Sequence, residues 1–271
     1  MKGKKVLSAF IALVLIAGMP VAAFAADWNI AEGSITISAT ESGQNVSQDG
    51  GASMSDPNPV ISGSSDTNTI TIVADAGNTA NVTLDNVTID TSSTGEAGIS
   101  TSGKGDVTIE LEGDSTVNSG GLHAGLEKNN GGKLTIKDDD NDGKLTAVGD
   151  GAGIGSKIGS DVSNITIKGG TINATGGGSA AGIGSGGNGS ASNITIEGGD
   201  ITAKGGWSGA GIGAGGNCGA SNITITGGKV TAIGGCDAAG IGGGISGDGS
   251  DITISGGEVT AIGGLGGAGI G

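Results

Sequence analysis

Apolar and polar positions along the second half of the chain alternate in short runs that pairs of glycine separate. In Ile194-Thr195-Ile196 the two isoleucines fall on one side of an extended strand and the threonine on the other. Gly198-Gly199 then ends the run, since glycine accepts the positive φ of a sharp bend. Asp200-Ile201-Thr202-Ala203 alternates again, Gly205-Gly206 breaks the pattern, and Ala210-Gly211-Ile212-Gly213 makes a third short strand. Small residues then return the chain to Asn222-Ile223-Thr224-Ile225, and the cycle restarts.

The cycle is regular in length. The block Ser-Asn-Ile-Thr-Ile begins at Ser163, Ser192 and Ser221, and again at Ser250 with Asp251 in place of Asn, each 29 residues after the last. Gly-Ile-Gly centres on Ile154, Ile183, Ile212, Ile241 and Ile270 at the same interval, with degenerate earlier copies at Ile99 and Leu126. A period in this range with three strands per cycle predicts an all-β fold, a right-handed parallel β-helix (solenoid) of about seven turns with a roughly 29-residue repeat. Stacking would put Ile165, Ile194, Ile223 and Ile252 in one interior column, Ile183, Ile212 and Ile241 in another, and Ala174, Ala203, Ala232 and Ala261 in a third. Asn164, Asn193 and Asn222 would stack at a corner, and Thr166, Thr195, Thr224 and Thr253 would form an exposed ladder.

The ends divide the chain. Lys2, Lys4 and Lys5, the apolar stretch 6–17 and the small residues Ala23 and Ala25 read as a signal peptide over 1–25. Residues 26–65, with Asp56-Pro57-Asn58-Pro59, are expected to form an irregular first turn or cap, and 66–271 the β-helix. Because the chain stops at Gly271 inside a third strand, further C-terminal repeats or an anchor are expected to be missing. The expected location is therefore extracellular, with no membrane partner after cleavage.

Composition narrows the partners. The leader holds three of the 12 lysines and none of the 27 acidic residues, so the mature surface is strongly acidic and excludes nucleic acid. Beyond the leader Trp28 and Trp207 are the only aromatics, and the chain has no arginine. The 62 glycines follow no three-residue period, which argues against a collagen-like fibre.

One segment interrupts the repeat. Asp138-Asp139-Asp140-Asn141-Asp142-Gly143 matches the first half of a Ca²⁺ loop, in which oxygens at alternate positions converge and a glycine permits the bend. Asp138, Asp140 and Asp142 are the candidate metal ligands; the second half is absent, since Gly149 stands where the closing Glu belongs. A solvated acidic bulge is the competing reading. Cys218 and Cys236 flank two strands, and the sequence leaves a disulfide between them open. His123 stands where other turns carry Ala or Gly and reads as surface variation. Trp207, at a turn position shared with Cys236 and Leu265, is a candidate sugar-stacking residue as well as a plain exposed hydrophobe.

The signal peptide, Thr-Asn-Thr-Ile-Thr-Ile at 67–72, Asn-Val-Thr-Leu-Asp-Asn-Val-Thr-Ile at 81–89 and the Gly-Ala-Gly-Ile-Gly repeats together resemble secreted β-helix repeat proteins of Gram-positive gut and clostridial bacteria. That resemblance implies a carbohydrate-binding or surface-adhesion protein with a pectate-lyase-like fold and, in some members, Ca²⁺ sites. The expected function is a non-catalytic protein that binds polysaccharide or host glycan, Ca²⁺-assisted, through Thr166, Thr195, Thr224, Thr253 and Trp207. The alternatives are a passive stalk and, less favoured, a polysaccharide lyase, whose usual Arg or Lys base finds no arginine here.

Overall fold

A computed structural model describes residues 27–271, and the expected signal peptide lies outside them. The described chain winds into a β-solenoid with three strands per turn. The first face is built from Asp106–Glu112, Leu134–Lys137, Val162–Ile167, Ala191–Ile196, Ala220–Ile225 and Gly249–Ile254, each parallel to the next. The second face carries Asp114–Ser119, Lys144–Gly149, Thr171–Gly176, Asp200–Lys204, Lys229–Ile233 and Glu258–Ile262. Thr79–Thr91 runs through both faces as one long bent strand. Its bend is made by Asn86, at φ 53°, where the following turn uses Gly113 at φ 59°. Asn tolerates this left-handed conformation better than other residues with a side chain, because its short amide bonds locally.

The third face is the shortest, reduced to two residues per strand from Ile154–Gly155 onward. Its column reads Ile35, Ile70, Ile99, Leu126, Ile154, Ile183, Ile212, Ile241 and Ile270, all in parallel register. The solenoid therefore has about eight turns rather than about seven. Beyond the seven copies read from the sequence the column adds Ile70, 29 residues before Ile99, and Ile35 on Ile35–Thr40, a regular strand within the segment expected to be irregular. That strand folds back antiparallel onto Gly43–Gln48, which in turn pairs with Met54–Ser55. Nearby, the buried Trp28 indole donates to Asp56 Oδ2 at 3.0 Å.

Register agrees with the expected interior columns. Ile165, Ile194, Ile223 and Ile252 are partners in sequence, as are Ala174, Ala203, Ala232 and Ala261. From Ile165 to Ile223 and from Ala174 to Ala232 these side chains are buried, and the last turn is more open. At about 4.8 Å per turn the stack is on the order of 40 Å long. No turn encloses its own apolar face, so stability is a sum over neighbouring turns.

Candidate functional site

The acidic insertion lies at the corner between the first and second faces. Ile136 pairs with Ile167 and Leu145 with Ile172, so the extra residues loop out between two strands held in register on either side. Buried Asp138 organises the loop: its carboxylate accepts from Asn141 N at 2.8 Å and Gly143 N at 3.0 Å, and Asn141 takes φ 67°. Carboxylate oxygens of Asp138, Asp140 and Asp142 lie within 4.8 Å of one another. A Ca²⁺ ion at its usual oxygen distance of about 2.3–2.6 Å fits among three oxygens so spaced. Asp138 would approach it with both oxygens already bonded to backbone N–H groups. Lys137 pairs with Glu110 and Asp139 beside the loop. The carboxyl of Glu112 is raised above the usual range, first by desolvation and then by Asp85, Asp140, Asp142 and Glu110, so the corner is a region of concentrated negative potential.

The first face presents repeating polar rows. Ser163, Ser192, Ser221 and Ser250 form one, and Thr166, Thr195, Thr224 and Thr253 another, each in register. The threonine ladder is less exposed than expected. Thr166, between Thr135 and Thr195, is buried; Thr195 and Thr224 are half-buried, and only Thr253 in the last turn is exposed. Trp207 is not on this face. It follows Asp200–Lys204 in the corner between the second and third faces, 73% exposed. The structure thus separates it from the threonine ladder with which the sequence had grouped it.

Two cavities open along the first face, neither expected from the sequence. One, of about 260 Å³, is lined by Asn58, Asn81, Thr83, Thr108, Glu110 and Lys137. The other, of about 330 Å³, is lined by Lys128, Asn129, Asn130, Asp161, Ser163 and Ser190, among others. It accompanies a change in loop length: Leu126 and Leu134 are eight residues apart, whereas their ladder partners Ile154 and Ile165 are eleven apart. Residues 128–130 of the short connection and Asp161 at the end of the longer one line the cavity together, and the short connection forms its ledge.

The ledge holds charges where later turns have small residues. Glu127 pairs with Gly155, and both Glu127 and Lys128 are almost fully buried, at 2% and 4% exposure. Glu127 accepts from Ala124 N at 3.3 Å and Asn129 Nδ2 at 2.6 Å, and lies 2.6 Å from His123 Nδ1. His123 is therefore a partner of a buried carboxylate rather than a surface variation. Lys128 Nζ donates to Asn130 O and Gly132 O, both at 2.8 Å. Burial pushes its ammonium down to about 8, against a weaker upward pull from Asp106. The sequence signal was there in Glu127-Lys128, charged residues inside a degenerate Gly-Ile-Gly copy. Cys218 and Cys236 are both free thiols.

A family model described as Beta helix repeat matches residues 141–160, 165–187, 194–216, 223–245 and 252–271. No curated protein and no solved structure matches the chain significantly. The matched segments fall on the turns whose strands stack in register on all three faces, so the C-terminal half of this β-solenoid is built from β-helix repeats.

Proposed function

We propose that this is a secreted, non-catalytic protein that holds a polysaccharide or host glycan along the first face of the solenoid. The observation that carries the reading is that two polar cavities open along that one face, one reached by the serine row at Ser163 and Ser192 and the other by the threonine row at Thr108. A polymer of hydroxylated rings offers donors and acceptors at repeated intervals, and a ladder of hydroxyls and amides offers the complementary set. Water-bridged contacts of this kind bind without a deep pocket. Ca²⁺ at Asp138, Asp140 and Asp142 would sit at the edge of the same face and bridge sugar oxygens to the protein.

The non-catalytic part rests on how Lys128 is used. It is the lysine whose ammonium burial brings nearest to neutrality, yet its N–H groups are directed to Asn130 O and Gly132 O, which ties it to its own loop. The extracellular part rests on the leader sequence at 1–25.

The test is a glycan array probed with the mature chain in Ca²⁺ and again in EDTA. Selective binding that Ser192→Glu abolishes supports the reading. Silence across the array sinks it and leaves a solenoid that acts as a spacer.

A further inference from the structure

We infer that the corner between the second and third faces carries a second saccharide subsite, selective for a sugar ring that bears a carboxylate, built from Trp207 and Lys204. This rests on the glycan-binding reading but concerns a different surface.

A groove of about 580 Å³ runs along this corner, lined by Lys204, Trp207, Cys236 and Leu265, with Thr175 at one end and glycines as its floor. The floor is bare for a structural reason. A Cβ on Gly206 would collide with Gly177 O, one on Gly235 with Gly206 O, and one on Gly264 with Gly235 O, because successive turns stack backbone on backbone. Main-chain bonds fix that stack: Cys236 N donates to Trp207 O at 2.6 Å and Gly266 N to Cys236 O at 3.4 Å. The corner cannot fill with side chains, so the indole of Trp207 stands beside an open, flat-floored channel. It is the one exposed aromatic among the described residues, since Trp28 is buried.

Charge selects the ligand. Lys204 is the only charged residue lining the groove, and among the described residues it forms no ion pair. A lysine lining the same groove as an exposed indole, with no acidic residue beside them in the lining, is unusual on a chain with 27 acidic residues and 12 lysines. The complementary ligand has an apolar ring face to lie on the indole and an anionic group for the ammonium. A sugar ring with a carboxylate has both, and Thr175 offers a hydroxyl for its ring substituents. A neutral sugar leaves Lys204 unused, and a purely apolar chain leaves both polar groups unpaired.

Trp207 fluorescence reads the site directly, because the other indole is buried against Asp56. The mature chain is titrated with trigalacturonate and with the carboxyl-reduced trisaccharide. The expected result is a saturable blue shift with the acidic sugar and a response about tenfold weaker with the neutral one. Trp207→Phe, folded by circular dichroism, should retain part of the affinity measured by calorimetry, and Trp207→Ala should lose about tenfold. Lys204→Met should bind the two sugars equally. No shift with trigalacturonate, an equal response to both sugars, or unchanged calorimetric binding in Trp207→Ala would each overturn the inference. Ser192→Glu on the first face keeps the two readings apart: it should abolish array binding in the Trp207→Ala background, where only the first face is left to bind, and leave the Trp207 response to trigalacturonate intact in the parent background.

Discussion

Asn193 Nδ2 donates to Asn164 Oδ1 at 3.0 Å, one full turn back along the solenoid, and Asn222 Nδ2 repeats the bond to Asn193 Oδ1 at 2.6 Å. All three asparagines sit at positive φ, 61°, 54° and 53°, inside strands of the first face. Each therefore does two jobs: its backbone accepts a local left-handed bend and its side chain links consecutive turns. Replacing Asn193 by Ala removes two amide bonds and strains the backbone, a loss of about 1–3 kcal/mol. Asn193→Gly removes the same bonds without the strain and should lie between the two. Urea denaturation of the three proteins checks the order; an alanine variant as stable as the parent would show that the ladder is incidental.

The third face makes a harsher demand. Gly155, Gly184, Gly213 and Gly242 take φ of 144°, 141°, 136° and 135°, and a Cβ on Gly213 would overlap Gly242 O. Gly213→Ala is expected to separate two turns and cost more than about 3 kcal/mol. Hydrogen exchange should locate the loss in the turns around Ile212 and Ile241 while the strands near Ile70 and Ile99 stay protected, because turns couple chiefly to their neighbours.

Lys128 should imprint a pH dependence on stability. Its ammonium titrates near 8 in the fold and near 10.5 when unfolded. Between those values the unfolded chain binds more protons than the folded one, so stability rises as pH increases from about 8 to about 10.5. Below pH 8 both states are charged and the burial penalty stands in full. Lys128→Met should flatten that rise, compared with the parent by thermal melts across the window. The substitution should cost less at pH 7 than at pH 10, because at pH 7 the loss of the donor to Asn130 O and Gly132 O is offset by removal of the buried charge.

Calcium is testable apart from any glycan. Calorimetry on the mature chain should give one site in the range of about 0.1–1 mM, as suits an extracellular module. Asp140→Asn combined with Asp142→Asn should abolish the heat and leave the melting temperature in EDTA unchanged, since both side chains are exposed. Asp138→Asn should also destabilise the loop, because that carboxylate accepts two backbone N–H groups. If the double variant binds Ca²⁺ as tightly as the parent, the acidic bulge is not the site.

Much of this architecture was legible because a solenoid stacks like on like. Each interior column repeats one residue type at the period of the turn, so Ile165, Ile194 and Ile223 announce their own contact. The first turn was hidden for a matching reason. Ile35 and Ile70 are ladder partners, but the hairpin through Gly43–Gln48 lies between them and lengthens the interval, so no periodic search aligns them. The Asp138, Asp140 and Asp142 cluster was visible because its geometry is local to one loop.

Local spacing and period thus determined the fold class, the interior columns, the asparagine ladder and the acidic loop. Tertiary structure decided what depends on how one turn sits on the next. It set the burial of Thr166, the ledge of residues 128–130 that holds Lys128, and the placing of Trp207 on a different face from the threonines. A period records which residues stack. The depth of a groove depends on differences in loop length between neighbouring turns, and those have meaning only once the turns are laid on one another.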